Sequence, residues 1–180
     1  MSRLTIFADS APGTPILSIT DADAIAAKLK PLGVRFERWE SPVALSQDDS
    51  AETILAAYRP YLDALMGETG AGSADVVKLT PDHPQAQVLR EKFLQEHIHS
   101  EDEVRFFVEG AGNFVLHLNG TIYDARCEKG DLISVPAGTK HWFDAGLAPS
   151  FTALRVFSHT DGWVANFTGD DISNRFPAVV

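Results

Sequence analysis

The chain has 180 residues, 25 acidic against 15 basic, a balance that repels phosphate backbones and anionic lipids and so excludes nucleic acid and membrane as partners. Apolar residues at 44% and charged residues at 22% place it among globular proteins, and its length suits a single domain over residues 1–180. No apolar run nears the roughly 20 residues that span a bilayer, Met1–Pro15 lacks the apolar core of a secretion signal, and Cys127 has no cysteine to pair with, so a cytoplasmic setting is expected.

The first part of the chain mixes helix and strand signals. Thr20 is placed to cap a helix of about ten residues beginning at Asp21, and Pro31 with Gly33 ends it. Val34 to Trp39 alternates weakly and suits a strand. Asp49-Ser50-Ala51-Glu52 resembles a capping box before a long helical pattern carried by Ile54, Leu55, Tyr58, Tyr61, Leu62 and Leu65. Pro60 falls inside that pattern, so a kink or two shorter helices is expected. Val76 to Leu79 reads as a short strand. Asp82 or His83 then opens a further helix with Pro84 early in it and Val88, Leu89, Phe93 and Leu94 on one face.

After about residue 96 the pattern changes to short alternating runs: Val104–Val108, Phe114–Leu118, Thr121–Arg126, Leu132–Val135, Phe151–Phe157 and Trp163–Phe167. Turn signals separate them at Gly110-Ala111-Gly112, Asn119-Gly120, Lys129-Gly130-Asp131, Pro136-Ala137-Gly138 and Asp161-Gly162, and Asn119-Gly120 is a strong hairpin signal. Many short strands at near-regular spacing predict a mainly β antiparallel barrel or sandwich with helices added on its N-terminal side. Residues 1–95 form the helix-rich elaboration, 96–168 the barrel core and 169–180 a C-terminal tail.

His97-Ile98-His99 sets two imidazoles two residues apart, on one face of a strand; on a helix they would diverge by about 200°. Glu103 keeps that parity if the strand continues, and a bend near Ser100 serves equally well. His141 arrives from a later strand after the Pro136-Ala137-Gly138 turn. Three imidazoles and a carboxylate make a mixed nitrogen and oxygen shell suited to Fe, Ni, Co, Mn or Zn. Four protein ligands on an octahedral ion leave two adjacent positions for a chelating substrate, whereas tetrahedral zinc with the same four would be closed and structural. The residues alone leave both open. His83, His117 and His159 fall outside this spacing and read as surface or structurally satisfied residues, and Cys127 as a small buried one.

The joint spacing from His97 and His99 through Glu103 to Gly110, then Gly130 through Pro136 and Gly138 to His141, resembles the two motifs of the cupin superfamily. Its one departure is Ala145, where the second motif usually ends in Asn. The wider stretches Glu91–Gly112 and Cys127–Asp144 resemble the bacterial acireductone dioxygenases, as do Gly33–Trp39, Phe151–Phe157 and Phe167–Ile172. The likeness is weakest before Gly33 and from about Ser41 to Leu79.

The resemblance implies a cupin double-stranded β-helix, a jelly-roll-like barrel, and one Fe(II) or Ni(II) per chain on His97, His99, Glu103 and His141. It implies a step of methionine salvage. With Fe(II), O2 cleaves 1,2-dihydroxy-5-(methylthio)pent-1-en-3-one to 4-methylthio-2-oxobutanoate and formate; with Ni(II), to 3-(methylthio)propanoate, formate and carbon monoxide. It implies that Arg105 favours the substrate dianion, that Glu96 serves metal incorporation and that Asp102 transmits local conformational change. Phe93, Phe107, Phe143 and Trp163 are candidate walls for the methylthio tail. The expected partners are acireductone and O2, and the expected state is a monomer.

Overall fold

One long strand joins the two halves of an antiparallel barrel. The computed structural model describes residues 1–40, 44–45, 49–158 and 164–177. In chain order the elements are β1 (Arg3–Ala8), β2 (Pro15–Ile19), α1 (Ala22–Leu29), β3 (Arg35–Arg38), α2 (Ala51–Ala57), α3 (Arg59–Thr69), β4 (Ser73–Leu79) and α4 (Ala86–Phe93). Then come β5 (His97–Ile98), β6 (Glu103–Leu118), β7 (Thr121–Glu128), β8 (Asp131–Val135), β9 (His141–Asp144), β10 (Phe151–Phe157) and β11 (Asn166–Phe167). One face has the order β11-β5-β9-β6-β7-β1-β2; on the other, β4-β10 and β3-β8 flank the first half of β6.

Most predicted elements are present, with shifted ends. Asp21 rather than Thr20 caps α1, its carboxylate accepting from Ala24 N at 2.8 Å. Ser50 caps α2 by accepting from Thr53 N at 3.1 Å, one residue later than the expected box. Pro60 stands at the start of α3 and divides the long pattern into two helices, since its ring and missing N–H are tolerated there. The last helix begins at Ala86, because two turns closed by Thr80 and His83 carbonyls occupy the residues before it. β1 and β2 carried no expectation; β2 is exposed along nearly its whole length and so lacks an apolar rhythm.

The clearest difference lies at Gly110-Ala111-Gly112, read as a turn and found inside β6. Val104, Phe106 and Val108 face outward onto a cluster with Ile54, Tyr58, Leu62 and Leu65 of α2 and α3. Phe107, Phe114 and Leu116 face the interior cluster. The change from odd to even interior positions follows an irregularity that sets Glu109 against Thr152 but Phe107 against Ala153. Gly110 has φ 75°, and a Cβ there would overlap the Ser150 carbonyl; one at Gly112 would overlap the Phe143 ring. These glycines therefore permit close approach within a bent strand.

The interior cluster holds Leu4, Ile6, Phe107, Phe114, Leu116, Phe143 and Phe151, with Ile25 and Leu29 of α1 packed at one side. Each such side chain contributes roughly 1.5–3 kcal/mol on burial. Cys127 is fully buried there, and burial raises its thiol pKa well above the ordinary value. Among the described residues, no helix is long and apolar enough to cross a membrane.

Candidate metal centre

β5 is only two residues long, and His97 is the Cα partner of His141 across β5 and β9. His99 follows just beyond β5, the chain bends through Ser100–Asp102, and Glu103 opens β6. The bend, rather than a continuous strand, delivers the carboxylate. The Pro136-Ala137-Gly138 turn docks on this bend: Gly138 N donates to His99 O and Ala137 N to Asp102 Oδ1, both at 2.9 Å. The two sequence motifs are thereby fastened to each other beside the ligands.

His97, His99, Glu103 and His141 are all buried, and each offers a ligand atom within 4.8 Å of the other three. Every imidazole turns its Nδ1 to a backbone carbonyl: His97 to Gln95 O at 2.6 Å, His141 to Thr139 O at 2.7 Å and His99 to Val164 O at 3.2 Å. A carbonyl only accepts, so each Nδ1 carries the proton and each Nε2 is left as the ligand atom. Glu103 Oε2 lies 2.8 Å from His141 Nε2 and 3.4 Å from His99 Nε2. Four convergent buried donors, with tautomers already set, fit a divalent first-row metal.

Burial pushes the His97 imidazole down to about 4, helped by the charge of His141 and opposed by the Gln95 carbonyl and Glu103. Burial also acts against the charged form of His141, but the hydrogen bond and charge of Glu103 outweigh it and raise that group. Burial would raise Glu103 as well; Arg105, His141 and His99 overcome it and hold the carboxyl well below its usual range. Glu103 thus favours its carboxylate and His141 its charged form, each relative to its ordinary behaviour.

Arg105 is buried, not at the surface. Its Nη2 donates to Glu103 Oε1 at 2.8 Å, and its guanidinium lies over the rings of Phe143 and Phe114, 5.3 and 5.5 Å from their centroids. It also lines a cavity of about 420 Å³ together with His97 and His99. Phe93, Val164, Ala165 and Phe167 wall this cavity, and Lys92 and Arg155 add two further cations. Phe143 packs edge-on to Phe93 at 6.2 Å, behind the wall. Phe107 is wholly buried in the interior cluster, 6.4 Å from Phe143. Trp163 lies outside the described residues.

Glu96 is buried, its carboxylate within 2.7 Å of both His117 Nδ1 and Thr168 Oγ1. Asp102 is exposed and accepts from Ala137 N of the turn already described. Sequence reasoning singled out neither Arg155 nor the 164–167 wall. Arg155 did have a signal, a lone charge in the apolar run Phe151–Phe157; it is the Cα partner of Arg105 and forms a two-pronged pair with Asp75 at 2.8 and 2.5 Å.

The ARD/ARD' family profile matches residues 3–165. The acireductone dioxygenase of Acidiphilium cryptum is 69% identical over 177 residues, covering 98% of each chain. That of Granulibacter bethesdensis is 64% identical over 178 residues, covering 99% of each. A solved acireductone dioxygenase from Bacillus anthracis, with a cadmium ion in its active centre, matches with a TM-score of 0.83 and 30% identity, over 93% of this chain and 98% of that one. The fold is mainly β and cupin-like, as the two motifs imply.

Proposed function

This chain belongs to the ARD/ARD' family, and from that membership and its buried centre we propose that it is an acireductone dioxygenase acting in methionine salvage. The observation that carries the reading is a cluster of four convergent ligand atoms, two of them on His97 and His99, which line one cavity together with Arg105. The substrates are 1,2-dihydroxy-5-(methylthio)pent-1-en-3-one and O2. The ion is Fe(II) or Ni(II), one per chain, held by His97, His99, Glu103 and His141. When bound there, it supplies Lewis acidity and a template for a chelating enediolate.

The chain's own groups perform the rest. Arg105 holds a fixed cation where the enediol loses its protons, and a charge at that place lowers the cost of the second deprotonation. Glu103 and the two aromatic rings keep the guanidinium there. Phe93, Val164, Ala165 and Phe167 offer an apolar surface to the methylthio tail and exclude water from the reacting carbons, with Phe143 supporting Phe93 from behind. Asp102 links the bend before Glu103 to the turn before His141, so a shift on either side is felt by the other. All four ligands come from one chain, which supports a monomer as the working unit.

Reconstitution of metal-free protein with Fe(II) or Ni(II), followed by product analysis with acireductone, tests this. The iron form should give 4-methylthio-2-oxobutanoate and formate, and the nickel form 3-(methylthio)propanoate, formate and carbon monoxide. No O2 uptake with acireductone in either form refutes the reading.

A further inference from the structure

We propose that His117, outside the ligand set, is a positioning residue for the metal centre and acts through the buried carboxylate of Glu96. The need for such a residue lies in β5. This strand has two residues, and in its ladders His97 pairs with His141 of β9 while Ile98 and His97 pair with Asn166 and Phe167 of β11. So short a ladder fixes a strand weakly, whereas a metal centre requires its donors held to a fraction of an ångström.

The missing restraint comes from Glu96, the residue before His97. Its side chain is fully buried, one oxygen 2.7 Å from His117 Nδ1 and the other accepting from Thr168 Oγ1 at 2.7 Å. Thr168 N also donates to the Glu96 carbonyl at 3.0 Å, and Lys140 Nζ stands 3.9 Å from the carboxylate. Each partner adjoins a ligand or a residue that packs on or pairs with one. Lys140 precedes His141, and Thr168 follows Phe167, whose ring packs edge-on to His97 at 6.0 Å. His117 lies on β6 next to Leu116, the Cα partner of His141, and its own N–H donates to Lys140 O at 2.8 Å.

His117 is therefore the rigid end of the tie. It sits in the sixteen-residue strand, and its other ring nitrogen faces Asp9 Oδ2 at 3.4 Å across the β1–β2 connection. Fixing Glu96 against β6 sets the distance between β5 and β9, and with it the span from His97 to His141.

Two near-isosteric substitutions separate this role from general support of the fold. His117→Asn places an amide where Nδ1 stands, toward Glu96; His117→Gln places one where Nε2 stands, toward Asp9. Cobalt(II) affinity, measured by chelator competition, and the visible d–d spectrum of the cobalt protein are the readouts. His117→Asn should bind cobalt as the unaltered protein does, while His117→Gln should bind on the order of tenfold more weakly, with a shifted spectrum. Adding Glu96→Gln to His117→Gln should cause little further loss, because both remove the same tie. Equal affinity of the Asn and Gln variants, or additive losses in the double variant, would overturn the proposal. Cobalt binding reads the centre without substrate, so it stands or falls separately from the acireductone assignment.

Discussion

Glu103 divides its carboxylate between two tasks: Oε1 accepts from Arg105 Nη2 at 2.8 Å, and Oε2 lies 2.8 Å from His141 Nε2. One oxygen faces the cation beside the cavity and the other faces the metal cluster. The two functions are mechanically joined, yet a substitution can reach either one separately.

His99→Ala removes a ligand and its carbonyl-set tautomer while leaving the interior cluster whole. Metal analysis should find the ion lost, and O2 uptake with acireductone should be abolished. Turnover by the metal-free variant would show the chemistry to lie elsewhere.

Arg105→Ala spares all four ligands. The variant should retain its metal but lose activity on the order of a hundredfold, the scale for removing a fixed donor from a developing negative charge. Steady-state rates on metal-quantified protein check this, and an unchanged rate rejects the role.

The folded protein should bind metal more tightly as pH rises through the imidazole range. His141 is held above its ordinary value and must release a proton before its Nε2 can bind, whereas His97, already pushed down to about 4, imposes no such cost near neutrality. Chelator competition at several pH values measures the slope. A flat profile between mildly acidic and mildly alkaline pH contradicts a raised His141.

Gly110→Ala should destabilise the fold by about 2 kcal/mol or more, since the residue has φ 75° and its Cβ would meet the Ser150 carbonyl. Urea unfolding reports the loss directly. A midpoint equal to that of the unaltered protein would mean the strand relaxes at this bend.

The ligand set was legible because it rests on local rules: period two for His97 and His99, and a Pro-Gly turn ahead of His141. The strand Phe151–Phe157 was legible for the same reason. Gly110 and Gly112 misled because a glycine that lets Phe143 and Ser150 approach looks the same in sequence as one that reverses the chain. The cavity wall at Phe167 was hidden because its approach to His97 depends on β11 pairing with β5 across some seventy positions. The ties around Glu96 were invisible for a further reason: His117, Thr168 and Lys140 are unremarkable alone and acquire meaning only where the strands bring them to one carboxylate.

The three carbonyls that orient the imidazoles have a consequence for mutational tolerance. They belong to Gln95, Thr139 and Val164, whose side chains take no part in the contact. Side-chain replacement at these positions leaves each acceptor in place, so the proton arrangement of the donors is written into the path of the backbone. Drift in amino-acid identity there is buffered; an insertion or deletion that reroutes the chain is not.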